Sequence, residues 1–253
     1  MTPHINHLPI EIFTDIIRRV RNALRPDELG SFVPLLGCCS HWHDVAKPIL
    51  WTDVVLEIST LANFVPKVTF ENTKLIRSLT VRIASEEVER MVKVDWETAM
   101  STAYCNAKIY VSEALQALAR LMGTMTQLTS FSFTAIVRNT DPEFAQWQLR
   151  SEDLCCFLQA LPMTCASVEL NTADYVRHEA HCDSLCILIR GMLPRLSTLR
   201  LRCGMLCHSL MLETHGLVFV KATRLKNLTI DLTCPSREML RAINDEYMYF
   251  QCR

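Results

Sequence analysis

Only 6 glycines occur among the 253 residues, and neither GxGxxG nor GxxxxGK(S/T) is present. The backbone nests that cradle a nucleotide's phosphates therefore have no candidate. An excess of one charge is also missing: 26 Lys and Arg stand against 27 Asp and Glu, a formal net charge of -1. A dedicated nucleic-acid binder carries a basic excess, and a protein drawn to acidic lipid carries basic clusters, so neither nucleic acid nor membrane is expected as a partner. The chain lacks the run of about 18 apolar residues that a membrane span needs. Its opening MTPHINHLP has neither the basic nor the apolar part of a secretory leader, and its final QCR is no prenylation box. The expected location is cytoplasmic or nuclear. GxSxG, HExxH and CxxC are absent as well. Neither catalysis nor a metal or other cofactor is expected from that sequence.

What the chain does have is apolar content of 49%, enough to fill a core and to exclude wholesale disorder. Its 12 cysteines, without a leader, are expected to stay reduced. Cys38, Cys39, Cys155 and Cys156 sit among apolar residues, where a free thiol packs as a small hydrophobe. One group was worth weighing for zinc: His178, His181, Cys182 and Cys186, followed by Cys203, Cys207 and His208. The donors suffice for a tetrahedral site. Their spacing does not, and Cys186, Cys203 and Cys207 fall within or beside apolar periodic segments, so core cysteines near a polar loop are the favoured reading. Cys207-His208 and His181-Cys182 are neighbours in sequence, which does not make a nucleophile and base in space.

The first fifty or so residues read as three short helices. Pro9 suits a first turn and Glu11 the positive end of the helix dipole. Ile12, Phe13, Ile16, Ile17 and Val20 form one apolar stripe, with Asp15, Arg18, Arg19 and Arg21 off it. Arg25-Pro26-Asp27 breaks this pattern, and Asp27 can cap a second helix. Ser40 is the expected cap of a third, carrying Trp42, Val45, Ala46, Ile49 and Leu50, with Pro48 expected to bend or end it. So small a helical unit buries little surface alone and must lean on the rest of the chain or on a partner.

Beyond it a strand signature recurs. Val54, Leu56 and Ile58 alternate with outward positions, as do Leu79, Val81 and Ile83, Phe131 and Phe133, Val168 and Leu170, Leu199 and Leu201, and Leu228, Ile230 and Leu232. An apolar residue stands three places ahead of several of these: Ile76, Leu128, Cys165, Leu196 and Leu225. The result reads LxxLxL, as in LTSFSF, LSTLRL and LKNLTI. Helices are predicted between strands over 112–122, 151–161 and 184–193, with Pro162 and Pro194 as stops. One strand and one helix per unit is the leucine-rich-repeat pattern, in which each unit covers its neighbour's apolar face. The intervals of 25, 52, 37, 31 and 29 residues between strand starts are irregular. An ordinary α/β domain with right-handed crossovers also alternates in this way. The shared motif favours the irregular solenoid. Residues 86–107 fit no repeat and read as an insertion, helical in part. A last helix is predicted from Ser236, with Met239, Leu240, Ile243 and Tyr247 as its stripe.

The residues Leu8-Pro9-x-Glu11-Ile12-Phe13-x-x-Ile16-Ile17, followed by Cys39-Ser40-His41-Trp42 and by Val45-Ala46-Lys47-Pro48-Ile49-Leu50-Trp51, resemble a fungal-type F-box over residues 6–51. Cys38 stands where that family often has Val, and residues 21–37 match only at Leu29, Leu35 and Leu36. The resemblance implies an α/β protein with a small N-terminal helical F-box and, over 52–253, a leucine-rich-repeat solenoid that recruits a protein substrate. It implies a Skp-type adaptor as partner and, through it, a cullin-RING (SCF) ubiquitin ligase, whose other subunits perform the chemistry. The adaptor-binding residues would be Leu8, Pro9, Ile12, Ile16, Cys39 and Trp42. Trp42 is a large amphipathic ring of the kind that dominates interfaces; the competing reading has Trp42 and Ile16 closing a miniature core. The other class of function is a scaffold acting outside a ligase.

The substrate would meet the strand positions that alternate with the inward ones: Arg82, Ser132, Thr134, Glu169, Asn171, Arg200, Arg202, Thr229 and Asp231. Arg200 and Arg202 on one side could read an acidic or phosphorylated segment. The plainer reading pairs them locally with Glu169 or Asp231, and it is favoured because exposed pairs are common.

Overall fold

The fold was analysed in a computed structural model, which describes residues 8–24, 26–84, 100–136, 149–173, 176–177, 182–203, 206, 210 and 221–232. The chain opens with a helical head. Helix α1 (Ile10–Ala23) starts at Pro9, whose carbonyl accepts the first turn's bond from the Phe13 amide at 3.0 Å. Asp15 and Arg19, one turn apart, pair at 2.9 Å on its exposed side. A 3-10 turn (Pro26–Phe32) and the single-turn α2 (Val33–Leu36) lead to α3 (Ser40–Thr52). The N-cap of α3 is Cys39 rather than Ser40, and no side chain caps it. Pro48 does not end α3. It lies on the exposed side, as does Asp44 four residues back, so the carbonyl it leaves unpaired is open to water.

The head has its own small core. Phe13, Ile17, Phe32 and Ala46 are buried, and Leu8, Leu24, Leu35, Leu36, Trp42, Val45, Ile49 and Leu50 pack around them. The stripe read from the sequence is wider than this core accepts. Phe13 and Ile17 are buried and Ile16 is half-buried, but Ile12 and Val20 are exposed. Twelve apolar residues cannot surround every apolar position on three short helices.

Helix α3 runs into strand β1 (Asp53–Glu57) without a linker. Ile58 is not the last inward residue of that strand. It begins α4 (Ile58–Lys67), because Glu57 and Thr60 form a reciprocal capping box that turns the chain into a helix. A short α5 (Phe70–Thr73), capped by Thr69, precedes β2 (Ser78–Ala84). Then come α6 (Met100–Met122), β3 (Ser130–Ile136), β4 (Leu149–Arg150), α7 (Ser151–Ala160), β5 (Ser167–Ala173), β6 (Val176–Arg177), α8 (Cys182–Met192), β7 (Thr198–Cys203) and β8 (Asn227–Leu232). Helix α6 begins inside the stretch 86–107 and is twelve residues longer at its start than the helix predicted from Ser112. Residues 86–99, the residues His178, His181, Cys207 and His208 of the disfavoured zinc group, and the helix predicted from Ser236 lie outside the described residues.

The protein is α/β with a parallel sheet. Six strands stand in the order β1-β2-β3-β5-β7-β8, so each long strand lies beside the one before it. β4 and β6 form a separate two-stranded parallel pair. With crossovers of one hand, such an order puts every connecting helix on the same face. Packing agrees: Leu61 of α4, Leu115 and Leu118 of α6, Leu154 and Phe157 of α7, and Leu185 and Ile189 of α8 share one buried cluster with the inward strand residues. Phe157 sits between Phe131 and Phe133, with ring centroids 5.7 and 5.8 Å away. Burying a side chain of this size stabilises the fold by about 1.5–3 kcal/mol.

The register turns the LxxLxL signature into rows across the sheet. One apolar row is Val54, Leu79, Phe131, Val168, Leu199 and Leu228; the next is Leu56, Val81, Phe133, Leu170, Leu201 and Ile230. Just before the strands, a backbone ladder ties the units together. Arg77 donates to the Thr52 carbonyl (2.9 Å), Thr129 to Arg77 (2.8 Å), Ala166 to Thr129 (2.9 Å), Ser197 to Ala166 (2.7 Å) and Lys226 to Ser197 (2.9 Å). These bonds satisfy the backbone groups of each turn as it enters the sheet. The head is fastened at the same end. Arg21 of α1 donates to the Asp53 carbonyl at 3.1 Å, and Trp51 packs with the sheet's core against Phe64.

Candidate functional site

Two surfaces need explaining: apolar residues left outside on the head, and a polar sheet face. On the head, Ile12 is 53% exposed, and Ile10 and Val33 are similarly open. Ile12, Ile16 and Val20 lie one turn apart along one side of α1. Pro9 and Cys39 are exposed at the starts of α1 and α3. The other three residues picked from the sequence are only partly available. Leu8, Ile16 and Trp42 are half-buried, and Leu8 and Trp42 pack against the head's core. The Trp42 ring meets Phe13 edge-on at 4.8 Å, while His41 stacks on Phe13 at 5.0 Å. Trp42 therefore serves the miniature core and still shows part of its ring. Ile10 and Val33 were not singled out from the sequence. Their signal was the surplus of apolar residues over what three short helices can bury.

The second surface is the face of the sheet opposite the helices. Parallel sheets are usually covered on both sides, and their strands are then apolar throughout. Here the outward positions are mostly polar. The row nearest the strand starts is Asp53, Ser78, Ser130, Ser167, Thr198 and Asn227. The middle row is Val55, Thr80, Ser132, Glu169, Arg200 and Thr229, and the third is Glu57, Arg82, Thr134, Asn171, Arg202 and Asp231. The structure thus brings all six sequence-selected recognition residues, Arg82, Glu169, Asn171, Arg200, Arg202 and Asp231, onto two adjacent rows.

Their local partners differ. Arg202 Nε lies 3.4 Å from Asp231 Oδ2, a pair that is more than half exposed on both sides. Glu169 is half-buried and accepts a long bond, 3.4 Å, from the Ser132 hydroxyl. It stands in register with Arg200, yet the two form no ion pair. Glu57, in register with Arg82, turns its carboxylate back to the start of α4. Arg82 and Arg200 are exposed and have no side-chain partner among the described residues. The suggested Arg200 and Arg202 couple is therefore split, with one cation committed to Asp231 and the other open.

Three of the described thiols are poorly suited to nucleophilic chemistry. Burial pushes Cys155, Cys165 and Cys203 up to about 11. For Cys155 the neighbouring Cys156 and Glu152 add to burial, and for Cys165 burial outweighs the opposing charge of Arg195. These three are protonated at neutral pH, and the thiolate is the reactive form. Among the described residues no group of three His, Cys, Asp or Glu side chains is placed to hold a metal ion, and no helix is long and apolar enough to cross a membrane. In comparisons with known proteins, no family model and no curated protein matches the chain.

Proposed function

We propose that this chain is a substrate receptor of an SCF-type ubiquitin ligase: an F-box head that docks on a Skp-type adaptor, and a leucine-rich-repeat body that presents a protein substrate. Ubiquitin transfer belongs to other subunits, and this chain supplies proximity. The observation that carries the reading is the head's apolar exterior. Pro9, Ile10, Ile12 and Val33 are exposed around a four-residue core. Water is a poor neighbour for such a surface, and a helical adaptor face can cover it. The half-exposed Trp42 provides an aromatic anchor at its side. Consecutive strand order and helices on one face support the repeat reading of the body, because a stack of like units grows in one direction. Helix α3 runs directly into β1, and Arg21 of α1 donates to the Asp53 carbonyl, so head and body are joined with no linker between them.

The test is co-purification of the full chain with a Skp-type adaptor. Wild type is expected to hold the adaptor, while Leu8→Ala/Pro9→Ala and Ile12→Asp release it without unfolding the chain. Failure of folded wild type to bind would leave the scaffold reading in its place.

A further inference from the structure

We infer that the open face of the sheet recognises an extended peptide carrying two carboxylate side chains, one at Arg82 and one at Arg200. This rests on the body being the substrate-binding part, and it adds the chemistry of what is bound. Arg82 and Arg200 are the exposed guanidinium groups of the two rows that no described side chain engages. Three strand spacings of about 4.8 Å and a two-residue offset put their backbones roughly 15 Å apart. Between them lie Ser132, Thr134 and Asn171, each half-buried, which offer hydroxyl and amide groups to a peptide crossing the strands. In an extended peptide, side chains about four residues apart point the same way and span about 13 Å. Two long arginine side chains close the remainder.

The same rows decide against a phosphate at Arg200, which has the Glu169 carboxylate in register beside it, whereas Glu57, in register with Arg82, is committed to capping α4. A dianion at Arg200 would meet Glu169, and the neighbouring cation among the described residues, Arg202, is already paired with Asp231, whereas a single carboxylate matches one guanidinium in a two-point bond. A polyphosphate chain would meet both Glu169 and Asp231, so nucleic acid fits this face poorly.

The experiment is a fluorescence titration of the full chain with short Ser/Thr peptides bearing two Glu about four residues apart. Binding is expected, with a loss of about tenfold or more when either Glu becomes Gln and when Arg82→Ala or Arg200→Ala is made. Lys226→Ala, in the turn before β8, leaves binding unchanged. Circular dichroism verifies that the variants are folded. The inference is overturned by a wild type that does not bind the Glu peptide, by binding that survives both arginine substitutions, or by a phosphoserine peptide that binds more tightly than its Glu counterpart. Adaptor co-purification on the same variants separates the two readings. Retained adaptor with no peptide binding removes only the substrate class, and retained peptide binding with no adaptor removes only the ligase.

Discussion

The head and the sheet solve opposite problems. The head has more apolar surface than it can cover: four residues are buried, and Ile10, Ile12, Val20 and Val33 are left outside. The sheet covers its apolar rows with helices and sets three largely polar, half-buried to exposed rows on its other face. The first is a surface that gains by excluding water, the second one that gains by matching hydrogen bonds and charge. One chain thus presents two chemically distinct surfaces, at opposite ends of the polarity scale. The exception sharpens the contrast. Leu228 and Ile230 of β8 occupy inward positions and are 46% and 38% exposed, while Leu199 and Leu201 of the preceding strand are buried.

The comparison can be broken at its strongest point first. Phe133→Ala should cost about 3–5 kcal/mol in chemical denaturation, because Phe133 is fully buried against Phe157 and the site cannot collapse freely. A cost under about 1 kcal/mol would mean that the sheet's helix face is looser than described. Next is the polar contact inside that face. Ser112 donates to Asp153 at 2.8 Å, and both are buried between α6 and α7. Asp153→Ala should cost about 1–3 kcal/mol, since the serine hydroxyl loses an acceptor away from water. Asp153→Asn is expected to recover part of the loss.

A third measurement uses pH. The folded state holds Cys155, Cys165 and Cys203 at about 11, against an ordinary value of 9.0. The fold favours the neutral thiol, so this contribution is complete below pH 9 and is lost as pH rises toward 11. Stability measured across that window should fall, and replacing all three thiols by Ala should flatten the slope. The smallest effect on stability is expected on the head's exterior. Ile12→Asp should change it by less than about 0.5 kcal/mol, because the side chain is already half in water. A large destabilisation would show that Ile12 belongs to the head's core, and the contrast between the two regions would be lost.

Much of this was legible before any coordinates. The apolar alternation located the starts of the six strands of the large sheet within one residue, since a period of two has few competing explanations over such short runs, although β3 and β5 run three residues further than the alternation showed. Ser151 and Pro162 bounded α7 within one or two residues. Boundaries failed where a side chain outside the apolar pattern intervened. The Glu57 and Thr60 capping box converted Ile58 from strand to helix, and α6 extended back to Met100 through residues with no clear stripe. On the head, periodicity identified α1 but could not say which of its apolar residues would be covered. That depends on how many partners the neighbouring helices bring.

For the polar sheet face, the sequence named the outward positions and suggested them as substrate-binding residues. Parity alone puts Arg82, Glu169, Asn171, Arg200, Arg202 and Asp231 on one side of a sheet. It cannot say which strands are neighbours. Only the strand order and register, fixed by packing of side chains far apart in the chain, decided that Arg202 meets Asp231, that Glu169 leans on Ser132, and that Arg82 and Arg200 have no side-chain partner among the described residues. Local spacing determines what each residue faces, because backbone geometry is short-ranged; the company it keeps is set by the folded whole.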